Sequence, residues 1–131
     1  MVIHEAAENY LETIYMLRKR NGSCRSIDVA SEMGYSKPTI SIMMKNLREN
    51  GYIRIDDGGE LILTDSGMEV ALRMYERHEI IAKGLMMLGV NEETAYRDSC
   101  KIEHDISDET FGAIKKHIAQ HSEDMKNKQG S

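Results

Sequence analysis

The chain has 131 residues and a formal net charge of −5, with 40% apolar and 30% charged side chains. That balance suits one large or two small globular domains with a buried core, and it excludes a wholly basic nucleic-acid binder. No signal peptide and no apolar run long enough to span a bilayer is present, so a cytoplasmic, non-membrane protein is expected, with Cys24 and Cys100 as free thiols.

The chain opens on a predicted helix from about His4 to Arg20, where Tyr10, Leu11, Ile14, Tyr15 and Leu17 give an apolar stripe at helical spacing. Asn21-Gly22 ends it. A short second helix follows Arg25-Ser26, with Ile27, Val29, Ala30 and Met33 apolar, and stops at Gly34. Ser36 is a natural N-cap for a third helix, and Pro38 fits only its first turn. That helix carries Ile40, Met43, Met44 and Leu47 to Gly51.

Periodicity then changes. Tyr52-Ile53-Arg54-Ile55 alternates, Asp56-Asp57-Gly58-Gly59 is a turn, and Leu61-Ile62-Leu63 is the return strand of a hairpin. Thr64 can cap a long fourth helix, Asp65 to about Leu88, ended by Gly89. Asn91 with Glu92 and Glu93 starts a fifth, reaching Asp105. Ser107 starts a sixth, with Phe111, Ile114 and Ile118 apolar and a tail from about Glu123 that looks frayed.

Helix, helix, Gly-containing turn, helix and hairpin is the order of a winged helix-turn-helix. The expected fold is therefore mainly α. A winged helix-turn-helix DNA-binding domain over residues 1–64 precedes an α-helical metal-binding and dimerisation domain over 65–131. Charge supports the division. Gly34 to Arg54 holds Lys37, Lys45, Arg48 and Arg54 against Glu49 alone, a net +3 on an acidic chain. The third helix is the candidate recognition helix. Ser36, Lys37, Pro38, Thr39, Ser41, Ile42 and Lys45 are its expected DNA-facing residues, with Arg54 on the wing. Small hydroxyls and apolar groups can touch base edges and thymine methyls, while lysines reach phosphates. No Arg or Gln occupies the usual bidentate positions, which points to shape readout.

The second constellation is Cys100-Lys101-Ile102-Glu103-His104. On a helix, positions i, i+3 and i+4 share a face, so a thiolate, a carboxylate and an imidazole would point the same way. Such a set suits a divalent first-row transition metal rather than calcium or magnesium. The alternative is an amphipathic helix whose Cys packs inward. Asn9 and Glu12 are i, i+3 neighbours that could face a metal together, and His78 stands among charged residues where a lone His is usually solvated.

Taken together, Tyr10-Leu11-Glu12-Thr13-Ile14-Tyr15, Ser36-Lys37-Pro38-Thr39-Ile40-Ser41, Leu63-Thr64-Asp65-Ser66-Gly67, Arg77-His78 and the run from Cys100 to Glu109 resemble the iron- and manganese-dependent repressors, in their short two-domain form. The resemblance implies metal ligands at Asn9, Glu12, His78, Cys100, Glu103 and His104. Asn9 stands where the family usually has Asp or Met. Cys100 follows the iron-type members, where manganese-type members carry Glu. The matching ancillary-site positions are Ala82 and Tyr96, neither a useful ligand. The implied function is a homodimeric, metal-dependent repressor of metal-ion homeostasis that binds a double-stranded DNA operator. Fe(II) or Mn(II) would activate it, with Co(II), Ni(II) or Zn(II) able to bind in vitro. Two rivals stand beside this reading. One is a metal-independent winged-helix regulator answering to a small molecule or an oxidant. The other is a metallohydrolase, for which no nucleophile or oxyanion donor is in evidence, so no enzyme activity is expected.

Overall fold

The computed structural model describes residues 5–129, and side chains through residue 122. The start of the first helix at His4 and the side chains of the tail from Glu123 lie outside the described residues. Those residues form six helices and one two-stranded sheet, divided into two compact units, Met1–Met74 and Tyr75–Ser131.

The N-terminal unit contains α1 (Glu5–Asn21), α2 (Ser26–Met33), α3 (Lys37–Glu49), β1 (Ile53–Ile55), β2 (Leu61–Leu63) and the first half of α4 (Asp65–Met87). Each helix boundary has a local cause. Asp28 accepts the Arg25 backbone N–H at 2.9 Å and closes the start of α2. Gly34 ends α2 with φ 72°, in the left-handed region where a side chain is strained, and its N–H reaches the Ala30 carbonyl. Ser36 then caps α3 by accepting the Thr39 N–H at 3.3 Å, and Pro38 sits in the first turn, where no amide donor is missed.

The inward stripe of α3, Ile40, Met44 and Leu47, packs with Leu11, Ile14, Val29, Ile53 and Leu61 in one apolar cluster. Burying side chains of this size stabilises by about 1.5–3 kcal/mol each. The strands pair antiparallel, Ile53 opposite Leu63 and Ile55 opposite Leu61, which turns Arg54 outward. Asp56 accepts the Gly58 and Glu60 amides at 2.9 Å and forms the turn. Arg18 of α1 donates to the Glu60 carboxylate at 2.7 Å and to the Leu61 carbonyl at 2.8 Å, which ties the hairpin to the helical core.

Thr64 joins the hairpin to α4. Its hydroxyl donates to the Gly51 carbonyl at 2.6 Å and accepts the Gly67 amide at 3.2 Å. Gly67 lies against the Tyr52 backbone, and a Cβ there would collide with the Tyr52 carbonyl. Val70 and Ala71 belong to the N-terminal core, which is why the compact unit extends to Met74, ten residues past the end of the hairpin region at Thr64.

The C-terminal unit holds the rest of α4, α5 (Glu92–Ile102) and α6 (Asp108–Gln129). Asn91 caps α5 by accepting the Thr94 amide at 3.2 Å, and Ser107 caps α6 through the Thr110 amide at 3.1 Å. Gly84 of α4 admits Ile118 of α6, since a Cβ would come within 2.7 Å of its Cδ1. The sequence suggests that α5 reaches Asp105; it stops at Ile102 instead. Arg77, 5% exposed, donates to the carbonyls of Glu103 at 3.0 Å and Ile106 at 2.8 Å, pairs with Asp108 and lies over the Phe111 ring. Those bonds hold residues 103–106 as a turn rather than a helical continuation.

Gly67→Ala is expected to destabilise the protein by about 1–3 kcal/mol through overpacking. In an unobstructed helix the same change stabilises by about 1 kcal/mol. Urea denaturation of the two proteins decides, and an unchanged or higher midpoint for the variant would contradict the close approach to Tyr52.

Candidate DNA-facing helix and metal centre

In the N-terminal unit, Ser36, Lys37, Pro38, Thr39, Ser41, Ile42 and Lys45 are all exposed along α3, and Arg54 is exposed on β1. Ile42 is 63% exposed and offers an apolar contact on the outer face of the helix. Tyr35, in the corner before α3, is 50% exposed and was not singled out from sequence. Its ring lies 6.3 Å from that of Tyr10, whose hydroxyl pKa is raised by burial and by Tyr35. The outer face of α3 thus offers hydroxyls, an apolar contact and two lysines, while its inner face is anchored in the core. This is the arrangement a helix needs to lie in a major groove.

Of the ligand candidates on α1, Glu12 is buried at 4% exposure and Asn9 is half-buried one turn earlier. The Asn9 backbone carbonyl accepts the Thr13 hydroxyl at 2.8 Å. A carboxylate buried that far from water needs a compensating partner.

The C-terminal unit brings three of the candidates together. Glu103 is fully buried just past the end of α5. One carboxylate oxygen lies 2.9 Å from His78 Nδ1 and the other 3.3 Å from His104 Nε2. The side chain of His104 is fully buried and that of His78 is 12% exposed. Cys100 is exposed in the last turn of α5, so it does not pack inward as a small hydrophobe. Cys24 is the buried thiol, pushed up to about 11 by desolvation and by Asp28 and Glu60.

Ser99, which the sequence did not single out, and Tyr96 contact His78. The Ser99 hydroxyl donates to the His78 backbone carbonyl at 2.6 Å. The Tyr96 ring lies 5.4 Å from the imidazole, and its hydroxyl donates to Glu79 at 3.0 Å, a bond that raises the tyrosine pKa. Ala82 is fully buried. Two imidazoles flanking a buried carboxylate form a mixed nitrogen and oxygen donor set, which fits a divalent first-row transition ion. Ser99 thus fixes the backbone at His78 and Tyr96 packs against its ring.

Comparison with known proteins agrees with both halves of this description. Residues 3–58 match the iron dependent repressor N-terminal DNA binding domain, and residues 64–129 match the iron dependent repressor metal binding and dimerisation domain. The chain is 35% identical over 117 residues to the transcriptional regulator MntR of Escherichia coli O6:H1, covering 89% of this chain and 76% of that protein. It is 33% identical over 100 residues to the HTH-type transcriptional regulator MntR of Bacillus subtilis, covering 76% and 70%. Among solved structures, a manganese-dependent transcriptional repressor in complex with manganese superposes with TM-score 0.78 at 28% identity, covering 86% of this chain and 52% of that one. The manganese regulator SloR gives TM-score 0.76 at 27% identity, covering 91% and 55%. The chain thus spans about half the length of these solved structures. No helix among the described residues is long and apolar enough to cross a membrane. On the two domain matches and these relatives, the chain belongs to the iron dependent repressor family of metal-dependent, DNA-binding transcriptional repressors.

Proposed function

We propose that this protein is a cytoplasmic homodimeric repressor of metal-ion homeostasis genes, activated by Mn(II) or Fe(II), that grips its operator with α3 and the hairpin wing. The observation that carries the reading is the buried Glu103 carboxylate between His78 and His104. The names of the relatives favour manganese. In this reading Asn9 and Glu12 supply further donors to the ion that His78, Cys100, Glu103 and His104 hold. Bound metal supplies the positive charge that buried carboxylates require. Bound metal would favour one arrangement of the two recognition helices of the dimer, spaced near one helical turn of DNA. Metal and DNA binding then favour the same conformer and strengthen each other reciprocally. Exposed Met87 and Leu88, beside an apolar groove between α4 and α6, suit a second copy of the chain.

DNA affinity at fixed salt should fall on the order of 100-fold on chelation, the upper end of ordinary coupling. Glu103→Gln should raise the Mn(II) concentration needed by more than about 100-fold, exceeding what losing an outer hydrogen-bond partner costs. Electrophoretic shift titrations with and without Mn(II) measure both. Equal affinity in the two conditions would sink the metal-dependent reading.

Lys37→Ala and Lys45→Ala should each weaken binding to all sequences and lower the slope of log affinity against log salt by about one. Thr39→Ala should change sequence preference instead. A lysine variant with the parent affinity and salt slope would rule out this docking face.

Cys100 gives a third test. Thiolate is softer than carboxylate and should tilt the centre from manganese towards iron, cobalt or zinc. The Co(II)-loaded protein should show an intense near-ultraviolet charge-transfer band that Cys100→Ser removes, and Cys100→Glu should shift activation towards Mn(II). An identical Co(II) spectrum in parent and Cys100→Ser would exclude the thiolate as a ligand.

A further inference from the structure

Outside the cluster at Glu103, a second group of ligating side chains lies on α6. His117 and His121 are four residues apart and share a face of the helix. Their ring centroids are 4.2 Å apart with planes inclined at 56°. Both residues are exposed. They border an apolar groove of about 660 Å³, shared with Ile81, Leu85, Leu88 and Ile114, and are the only titratable side chains among its described lining residues. Two imidazoles held in contact with no carboxylate between them differ from the centre at Glu103, where oxygen donors take part.

We propose that His117 and His121 form a second, bidentate site for a late first-row divalent ion, Zn(II), Ni(II) or Cu(II). Neutral imidazole binds these ions well, at about 2.0–2.1 Å for zinc. Hard Mn(II) prefers carboxylate, carbonyl and water oxygen. The pair therefore separates late metals from the ion that the centre at Glu103 takes. The helix supplies the chelate, because once one imidazole has bound the ion the other is already within reach. Such linkage strengthens binding by roughly 10²-fold or more over a single donor. Water would fill the remaining positions of a tetrahedral ion.

The test is metal counting by equilibrium dialysis of the full chain against Zn(II) and, separately, Mn(II). The parent protein is compared with His117→Gln, His121→Gln and the double variant. Both residues are exposed, and Gln is a good helix former, so the fold should be retained. The double variant should bind one Zn(II) fewer per chain, with Mn(II) stoichiometry unchanged. Each single variant should weaken the lost Zn(II) event about 100-fold. In the parent protein, Zn(II) should perturb the ring proton resonances of both histidines together. Equal Zn(II) stoichiometry in parent and double variant, or parent affinity in either single variant, would overturn the proposal. Loss of Mn(II) binding in the double variant would overturn the claimed selectivity. Failure of the repressor reading would appear separately, as DNA binding indifferent to Mn(II) in the parent chain.

Discussion

A carboxylate with no solvent exposure must be compensated by its surroundings, and the metal-binding half of this protein is organised around meeting that requirement at Glu103. The cost of burying an unpaired carboxylate exceeds what a small unit can absorb. His78 Nδ1 lies 2.9 Å from one Glu103 carboxylate oxygen and His104 Nε2 3.3 Å from the other. Such an arrangement requires three backbone segments to be fixed at once. Ser99 holds the carbonyl of His78, and Tyr96 lies against its ring. Arg77, the residue just before His78, turns the other way and takes the carbonyls of Glu103 and Ile106. One stretch of α4 thus supplies both a donor and the brace for the turn that carries the other two.

The DNA-facing half follows a different rule. Its outer face need only be presented, so rigidity comes from what lies behind it. Three side-chain hydroxyl or carboxylate caps, at Asp28, Ser36 and Thr64, define where helices begin. Gly34 makes the corner and Gly67 allows α4 to lie against the Tyr52 backbone. A stiff scaffold under an exposed polar surface suits a partner recognised partly by shape. Net charge is a poor guide to that partner. Screening confines exposed charges to about 8–10 Å, so the local excess of positive charge from Lys37 to Arg54 is felt nearby whatever the net charge of the chain.

The metal-dependent reading and its metal-independent rival share the winged helix, and the C-terminal half separates them. The match of residues 64–129 to a metal binding and dimerisation domain favours the metal-dependent repressor. The family consists of DNA-binding regulators, which removes the metallohydrolase. The family resemblance implies departures from the manganese pattern at Cys100 and Asn9, one in the softness of the side chain and the other in its charge.

Much of this was legible from the residues alone, for a local reason. Helix starts at Ser36, Asn91 and Ser107, the corner at Gly34 and the hairpin turn at Asp56 depend on hydrogen bonds spanning two to four residues. Short spacing picks out Cys100, Glu103 and His104, and Asn9 with Glu12, while His78 enters the ligand set only through the family resemblance. Tertiary structure decided what depends on distant partners. The chain reads as helical through Asp105, yet α5 ends at Ile102 because a guanidinium 26 residues before Glu103 claims its carbonyl. The exposure of Cys100, the burial of Glu103 and the brace from Ser99 and Tyr96 arise the same way, since no local pattern records which side chain a folded neighbour will cover.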